Sequence, residues 1–115
     1  MTSQKAHALA KFSTELTFDQ IPDEVIHKSK QLVLDTLGIA IGSSIMPFGS
    51  GVIQLVNSWG GASVASIVGS KQMTTAQSAA FCNGVLAHGQ DYDDTHTASV
   101  VHPTAALLPA ALAVG

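Results

Sequence analysis

Between Pro22 and Ser44 the apolar residues of this chain recur at helical spacing. Val25, Leu32, Val33, Thr36, Leu37, Ala40 and Ile41, with Ser29 among them, form one mostly apolar stripe. Pro22 suits the first turn of a helix, Asp23 and Glu24 face its dipole favourably, and Gly42-Ser43-Ser44 ends the stripe. Gly38 lies inside the stripe and costs about 1 kcal/mol of helix propensity, tolerable where a second helix crosses closely. A long helix that shows one face to its surroundings demands other helices to cover it.

The rest of the chain supplies them. An amphipathic helix is expected over about residues 3–16, through Ala6, Leu9, Phe12, Ser13 and Leu16. Thr17-Phe18-Asp19-Gln20-Ile21 breaks it. A third helix is expected from Pro47 to Ser58, stopped by Trp59-Gly60-Gly61. Residues 62–68 alternate small and β-branched side chains up to Gly69-Ser70, which reads as a short strand and turn near 62–70. Thr74 or Thr75 can cap a fourth helix to about Ala87, whose small residues (Ala76, Ser78, Ala79, Ala80, Gly84) allow close packing. After a polar loop, His102-Pro103-Thr104 opens a last helix that is still running near Gly115. The fold class is mainly α, a helical-bundle segment with one short strand and turn.

Charge narrows the functions open to such a chain. Charged residues make up 11% of its 115 residues, against a typical quarter or so. A small domain with so little charge has apolar faces for neighbouring segments or subunits to bury, so the chain reads as part of something larger. All five cations are lysines and the net charge is −3, which leaves nucleic acid no electrostatic footprint. A lone cysteine, Cys82, excludes an internal disulfide and reads as a small apolar helix residue in a reducing compartment. Neither long apolar run suits a membrane span: residues 32–48 are interrupted by Asp35 and Gly42-Ser43-Ser44, and residues 100–114 are short and carry two prolines. The expected location is the cytoplasm.

Chemistry concentrates in one window. Three of the eight acids (Asp91, Asp93, Asp94) fall within four residues, and three of the five histidines (His88, His96, His102) within fifteen. The window joins two apolar helices, which puts it on a helix-end rim facing a cleft. Asp91-x-Asp93-x-Thr95 matches the nucleophile motif of haloacid-dehalogenase-like phosphatases, yet no apolar strand precedes it. His88, Asp91 and His96 fit no familiar metal-ligand spacing, so no metal is expected. No serine lies on a Gly-x-Ser-x-Gly elbow. Metal-free acid–base chemistry remains. His102 at a helix start lies beside backbone N–H groups that favour an anionic substrate group. Thr95 and Thr104 offer hydroxyls to a carboxylate, and Asp91 can orient a base or take a proton itself.

These residues bring in a resemblance that covers nearly the whole chain. Leu16-Thr17-Phe18-Asp19-Gln20-Ile21-Pro22 with Val25 and Lys28, Leu34-Asp35-Thr36-Leu37-Gly38 with Gly42, and Ala79-Ala80-Phe81-Cys82-Asn83-Gly84 with Ala87-His88 follow one another in order. Asp91-Tyr92-Asp93-Asp94-Thr95-His96, His102-Pro103-Thr104 and Leu108-Pro109-Ala110 complete the series. In this the chain resembles the MmgE/PrpD family of 2-methylcitrate dehydratase, cis-aconitate decarboxylase and iminodisuccinate epimerase. The resemblance implies a helical domain bearing the active site under a smaller α/β lid, in a homodimer, with no cofactor and with small di- or tricarboxylates as substrates. By it, residues 1–115 are expected to be the N-terminal part of a single helical domain, with the remainder and the lid elsewhere.

It also implies that Asp91, Thr95 and His102 line the catalytic pocket; the expectation for the window is Asp91 and His102 catalytic, and Thr95, Asp94, His88 and Thr104 toward the substrate. Six residues separate Thr95 from His102, one more than in the decarboxylase pattern, which fits a dehydratase or an uncharacterised branch as well. The expectation is a cofactor-free lyase segment, 2-methylcitrate dehydratase-like in the first instance. Decarboxylase- or epimerase-like activity is the alternative. A reading of a different class is a split subunit or remnant without catalysis that pairs with a partner chain.

Overall fold

The computed structural model describes residues 2–115, with side chains from residue 4 onward. It is mainly α, as expected. The chain divides into two compact units, residues up to Lys30 and residues 31–115.

The first unit holds α1 (Thr2–Glu15), a 3-10 turn at Phe18–Gln20 and the opening of α2 (Asp23–Ser44). At the junction the Thr17 N–H donates to Gln20 Oε1 at 2.9 Å, satisfying a backbone donor at the start of the 3-10 turn. Pro22 lies just ahead of α2, and its carbonyl accepts the N–H groups of Val25 and Ile26.

The second unit carries the rest of α2, α3 (Pro47–Ser58), a two-stranded antiparallel ribbon, α4 (Ala76–His88) and α5 (Pro103–Val114). The ribbon pairs β1 (Ala65–Ser66) with β2 (Met73–Thr74), Ala65 opposite Thr74 and Ser66 opposite Met73. The expected strand is thus two residues long, and it gains a partner too short to leave a sequence pattern. Lys71 sits, exposed, on the turn between them. Thr75 caps α4, its hydroxyl accepting from Ser78 N–H at 3.2 Å.

The core gathers Ala40 of α2, Val52 and Val56 of α3, Ile67, and Cys82 and Leu86 of α4. Buried Asn83 ties α4 to the ribbon: its Oδ1 accepts Val68 N–H at 2.9 Å and its Nδ2 donates to Ser66 O at 3.0 Å. Paired on both ends, this amide is buried without an unmet donor or acceptor. Buried positions on α2 are Thr36, Ala40, Ser43 and Ser44, one helical stripe of small residues.

α2 ends at Ser44, within the Gly42-Ser43-Ser44 stop that the sequence marks, and Ser43 and Ser44 are buried. Among the described residues nothing comes within 4 Å of a Cβ placed at Gly38. Leu34, Ile41 and Ile45 beside it are exposed, so this side of α2 is an open apolar face.

The closest helix pairing joins α4 and α5. Pro109 lies inside α5 and is buried. Proline has no N–H to give to the carbonyl four residues back, that of Ala105. That oxygen instead looks toward α4, 3.5 Å from where a Cβ on Gly84 would stand. Small residues at both points let the backbones approach. Among the described residues no single helix is long and apolar enough to cross a membrane; α2 and α3 pass that test only as a pair bent by 88°.

Candidate active site

The α4–α5 pairing brings the two ends of the polar loop together. His88 is the last residue of α4 and His102 immediately precedes α5, and their rings meet edge to face with centroids 4.9 Å apart. The loop between them is anchored at its start. Gln90 Nε2 donates to Ser43 Oγ at 3.0 Å and to Ile39 O at 3.4 Å, both on α2. Phe48 lies over Gly89, where a Cβ would press on its ring and on the Val85 carbonyl, so a larger residue there would force the ring to shift.

From that anchor the chain turns through Asp91, whose φ of 58° is left-handed, a conformation that aspartate tolerates better than most residues. The turn sends Asp93 inward. Its carboxylate is fully buried and meets both histidines: Oδ1 lies 3.0 Å from His88 Nδ1, and Oδ2 lies 3.3 Å from His102 Nδ1. The Asp93 backbone carbonyl lies 3.3 Å from the same His102 nitrogen. On the other edge of the His102 ring, Nε2 is 3.7 Å from Oδ1 of Asp91, whose side chain is 79% exposed. The ion pairs of this cluster are all between aspartate and histidine.

Asp94 turns the other way and accepts the Thr104 N–H at 3.3 Å. His102 occupies the cap position of α5, and its ring makes no capping hydrogen bond. The anion at the helix N-terminus is the Asp94 carboxylate, which takes the place foreseen there for a substrate group. His96 leaves the cluster altogether: its Nδ1 meets Ser99 Oγ at 2.6 Å inside a tight turn closed by the His96–Val101 bridge. Thr95 is exposed, one residue beyond Asp94, and does not line the cleft; Thr104 is half-buried through its place in α5.

A cleft of about 700 Å³ opens beside the two imidazoles. Its walls are apolar: Phe81, Gly84 and Val85 from α4, Val100 and Val101 from the loop, and Ala105 and Ala106 from α5. Among the described residues, His88 and His102 are the titratable side chains in its lining. An apolar cleft with convergent proton-carrying groups at one edge is the usual form of a small-molecule site.

Sequence reasoning named five of the residues gathered here but passed over Asp93, the one at the centre. Its signal was weak: a carboxylate five residues after one histidine and nine before another, between two other acids. The same cluster bears on metals. One donor atom each from His88, Asp91, Asp93 and His102 lies within 4.8 Å of the others. Imidazole and carboxylate donors suit zinc or manganese, so this set is chemically able to hold a divalent ion.

Known proteins bear out the resemblance. The MmgE/PrpD N-terminal domain matches residues 7–115. The chain belongs to the MmgE/PrpD family. Among its relatives is a cis-aconitate decarboxylase-like protein of Aspergillus oryzae, 29% identical over 91% of this chain and 22% of that protein. The cis-aconitate decarboxylase of Aspergillus terreus is 26% identical over 98% of this chain and 25% of its own length. That of Mus musculus is 33% identical over 82% and 19%. The chain therefore spans about a fifth to a quarter of the relatives it matches. The MmgE/PrpD match covers every residue of the cluster and the cleft.

Proposed function

We propose that this chain forms one wall of the active site of a lyase that acts on a small di- or tricarboxylate by acid–base chemistry, without a cofactor. The observation that carries the reading is the His102 ring, held between two aspartates at the edge of an apolar cleft. Removing a proton beside a carboxylate, or returning one after carbon dioxide leaves, needs a group that exchanges protons at neutral pH, and imidazole is the natural one. His102 is the acid or base. Asp91, exposed beside Nε2, steadies the imidazolium once a proton arrives or relays that proton to solvent. His88 is a second imidazole on the rim. The cations that pair with the remaining carboxylates come from outside this chain.

Within that reading, two reactions compete. Relatives named as cis-aconitate decarboxylases support loss of carbon dioxide. The six-residue spacing between Thr95 and His102, one more than in the decarboxylase pattern, fits loss of water or an uncharacterised branch as well. Assay of the full-length gene product against cis-aconitate, 2-methylcitrate, citrate and iminodisuccinate separates them. His102→Ala in the same protein is expected to lower kcat by about 10²-fold or more with the fold intact. Near-normal turnover removes His102 from the mechanism.

A further inference from the structure

We infer that Asp93 is a positioning residue whose buried carboxylate fixes which nitrogen of His102 carries the proton, so that Nε2 is the reacting atom. The inference rests on the acid–base role proposed for His102 and adds to it the proton's place and the group that keeps it there.

The argument begins with the Asp93 carbonyl oxygen, which can only accept a hydrogen bond. It lies 3.3 Å from His102 Nδ1, so a hydrogen bond between them requires the proton on Nδ1. The Asp93 carboxylate lies 3.3 Å from the same nitrogen through Oδ2, and its charge favours a proton there without a hydrogen bond of its own. Both groups belong to one residue and both select one tautomer. A neutral imidazole protonated at Nδ1 has its free lone pair at Nε2. Nε2 faces Asp91, which at 3.7 Å is too far for a good hydrogen bond and leaves the lone pair available.

Burial makes this selection firm. The Asp93 side chain has no exposure, so water does not compete for its oxygens. His88 Nδ1 spans both carboxylate oxygens, 3.0 Å from Oδ1 and 3.2 Å from Oδ2, which holds the carboxylate against His102. One carboxylate thus orients two rings from behind, and each ring keeps its Nε2 edge for other partners. When Nε2 takes a proton, the imidazolium has Asp93 against Nδ1 and Asp91 near Nε2. The general logic is that of a carboxylate behind a catalytic imidazole, where the wrong tautomer abolishes most of the rate.

The test joins spectroscopy with kinetics. In protein labelled with ¹⁵N at histidine, long-range ¹H–¹⁵N correlation at pH 8 should show His102 protonated at Nδ1 and bare at Nε2. Asp93→Asn keeps the shape but removes the charge and replaces one acceptor oxygen by an N–H₂ group that only donates, which weakens the hold on the two Nδ1–H groups. In that variant one of the two histidines should leave the Nδ1–H form. In the full-length enzyme kcat should fall by roughly 10²- to 10⁴-fold with KM within a few-fold. An Nε2–H tautomer for His102 in the unsubstituted protein overturns the inference, whether or not Asp93→Asn folds. So does unchanged turnover of a folded Asp93→Asn variant. Stoichiometric zinc or manganese in the purified protein, bonded to Nδ1, overturns it as well, since that nitrogen would then carry no proton. The tautomer is read without turnover. A correct tautomer beside an active His102→Ala variant sinks the proposed role of His102 while leaving the positioning intact.

Discussion

His102 Nδ1 faces Asp93 twice, at 3.3 Å from its backbone carbonyl and 3.3 Å from its carboxylate. A residue that holds a ring with both main chain and side chain ties the ring to the fold, so the site inherits its accuracy from α4 and α5. The predictions below concern the parts that hold this arrangement in place.

Asp94 separates support from chemistry. Its carboxylate accepts the Thr104 N–H at the start of α5, where a negative charge also meets the positive end of the helix. Asp94→Ala should cost about 1 kcal/mol of stability, measured by urea unfolding. A variant as stable as the parent but with a raised KM would show instead that Asp94 works on the substrate.

Val100 holds a left-handed conformation, φ 53°, that a β-branched residue adopts only at a cost. Its side chain is 79% exposed, so little packing is lost on replacing it. Val100→Asn should therefore raise stability by about 1 kcal/mol, seen as a higher melting temperature. A melting temperature at or below the parent's would mean that the valine is held by contacts worth more than the strain.

Burial pushes the Cys82 thiol up to about 11, because the thiolate has no water around it. In the unfolded chain the thiol ionises near an ordinary value of about 8.5. The folded state thus holds its proton longer than the unfolded one does. Its stabilising share is whole below about pH 8.5 and drains away as the pH climbs toward 11. Unfolding midpoints should decline over that window, and Cys82→Ala should flatten the decline. At pH 7.5 a maleimide should label the thiol only after denaturant is added; equal labelling of the native chain would refute this.

At Gly84 the space for a methyl is ordinary, 3.5 Å from Ala105 O, while the helix interior disfavours glycine. Gly84→Ala should stabilise the fold by about 0.5–1 kcal/mol. Gly84→Leu should do the reverse and weaken turnover, through wider spacing of α4 and α5. Equal stability of the leucine variant would show that the two helices yield there.

Helices were legible because apolar residues at three- and four-residue spacing are a local signal, and proline, glycine and threonine mark the ends of α3 and α4. Local signals carry no news of burial from afar. The sequence allows a crossing helix at Gly38, yet among the described residues nothing comes within 4 Å of a Cβ there. The partner of β1 is two residues long and has no period to detect. The active-site window stood out because acids and histidines crowd there, and His88, Asp91 and His102 do meet. Asp93 did not stand out. Its burial comes from the left-handed turn at Asp91 and from two helix ends that only packing brings together. Nor could spacing reveal that Asp94, rather than the His102 ring, would cap α5.

Pro109 sits one and a half turns inside α5, far from any imidazole, yet it frees the Ala105 carbonyl that looks across to Gly84. The separation of His88 from His102 is consequently gauged from behind, like the jaws of a caliper set by its pivot. Anyone wishing to retune such a cleft for a bulkier ligand could leave every polar residue untouched and exchange the pair at 84 and 105, shifting the jaws without altering what they carry.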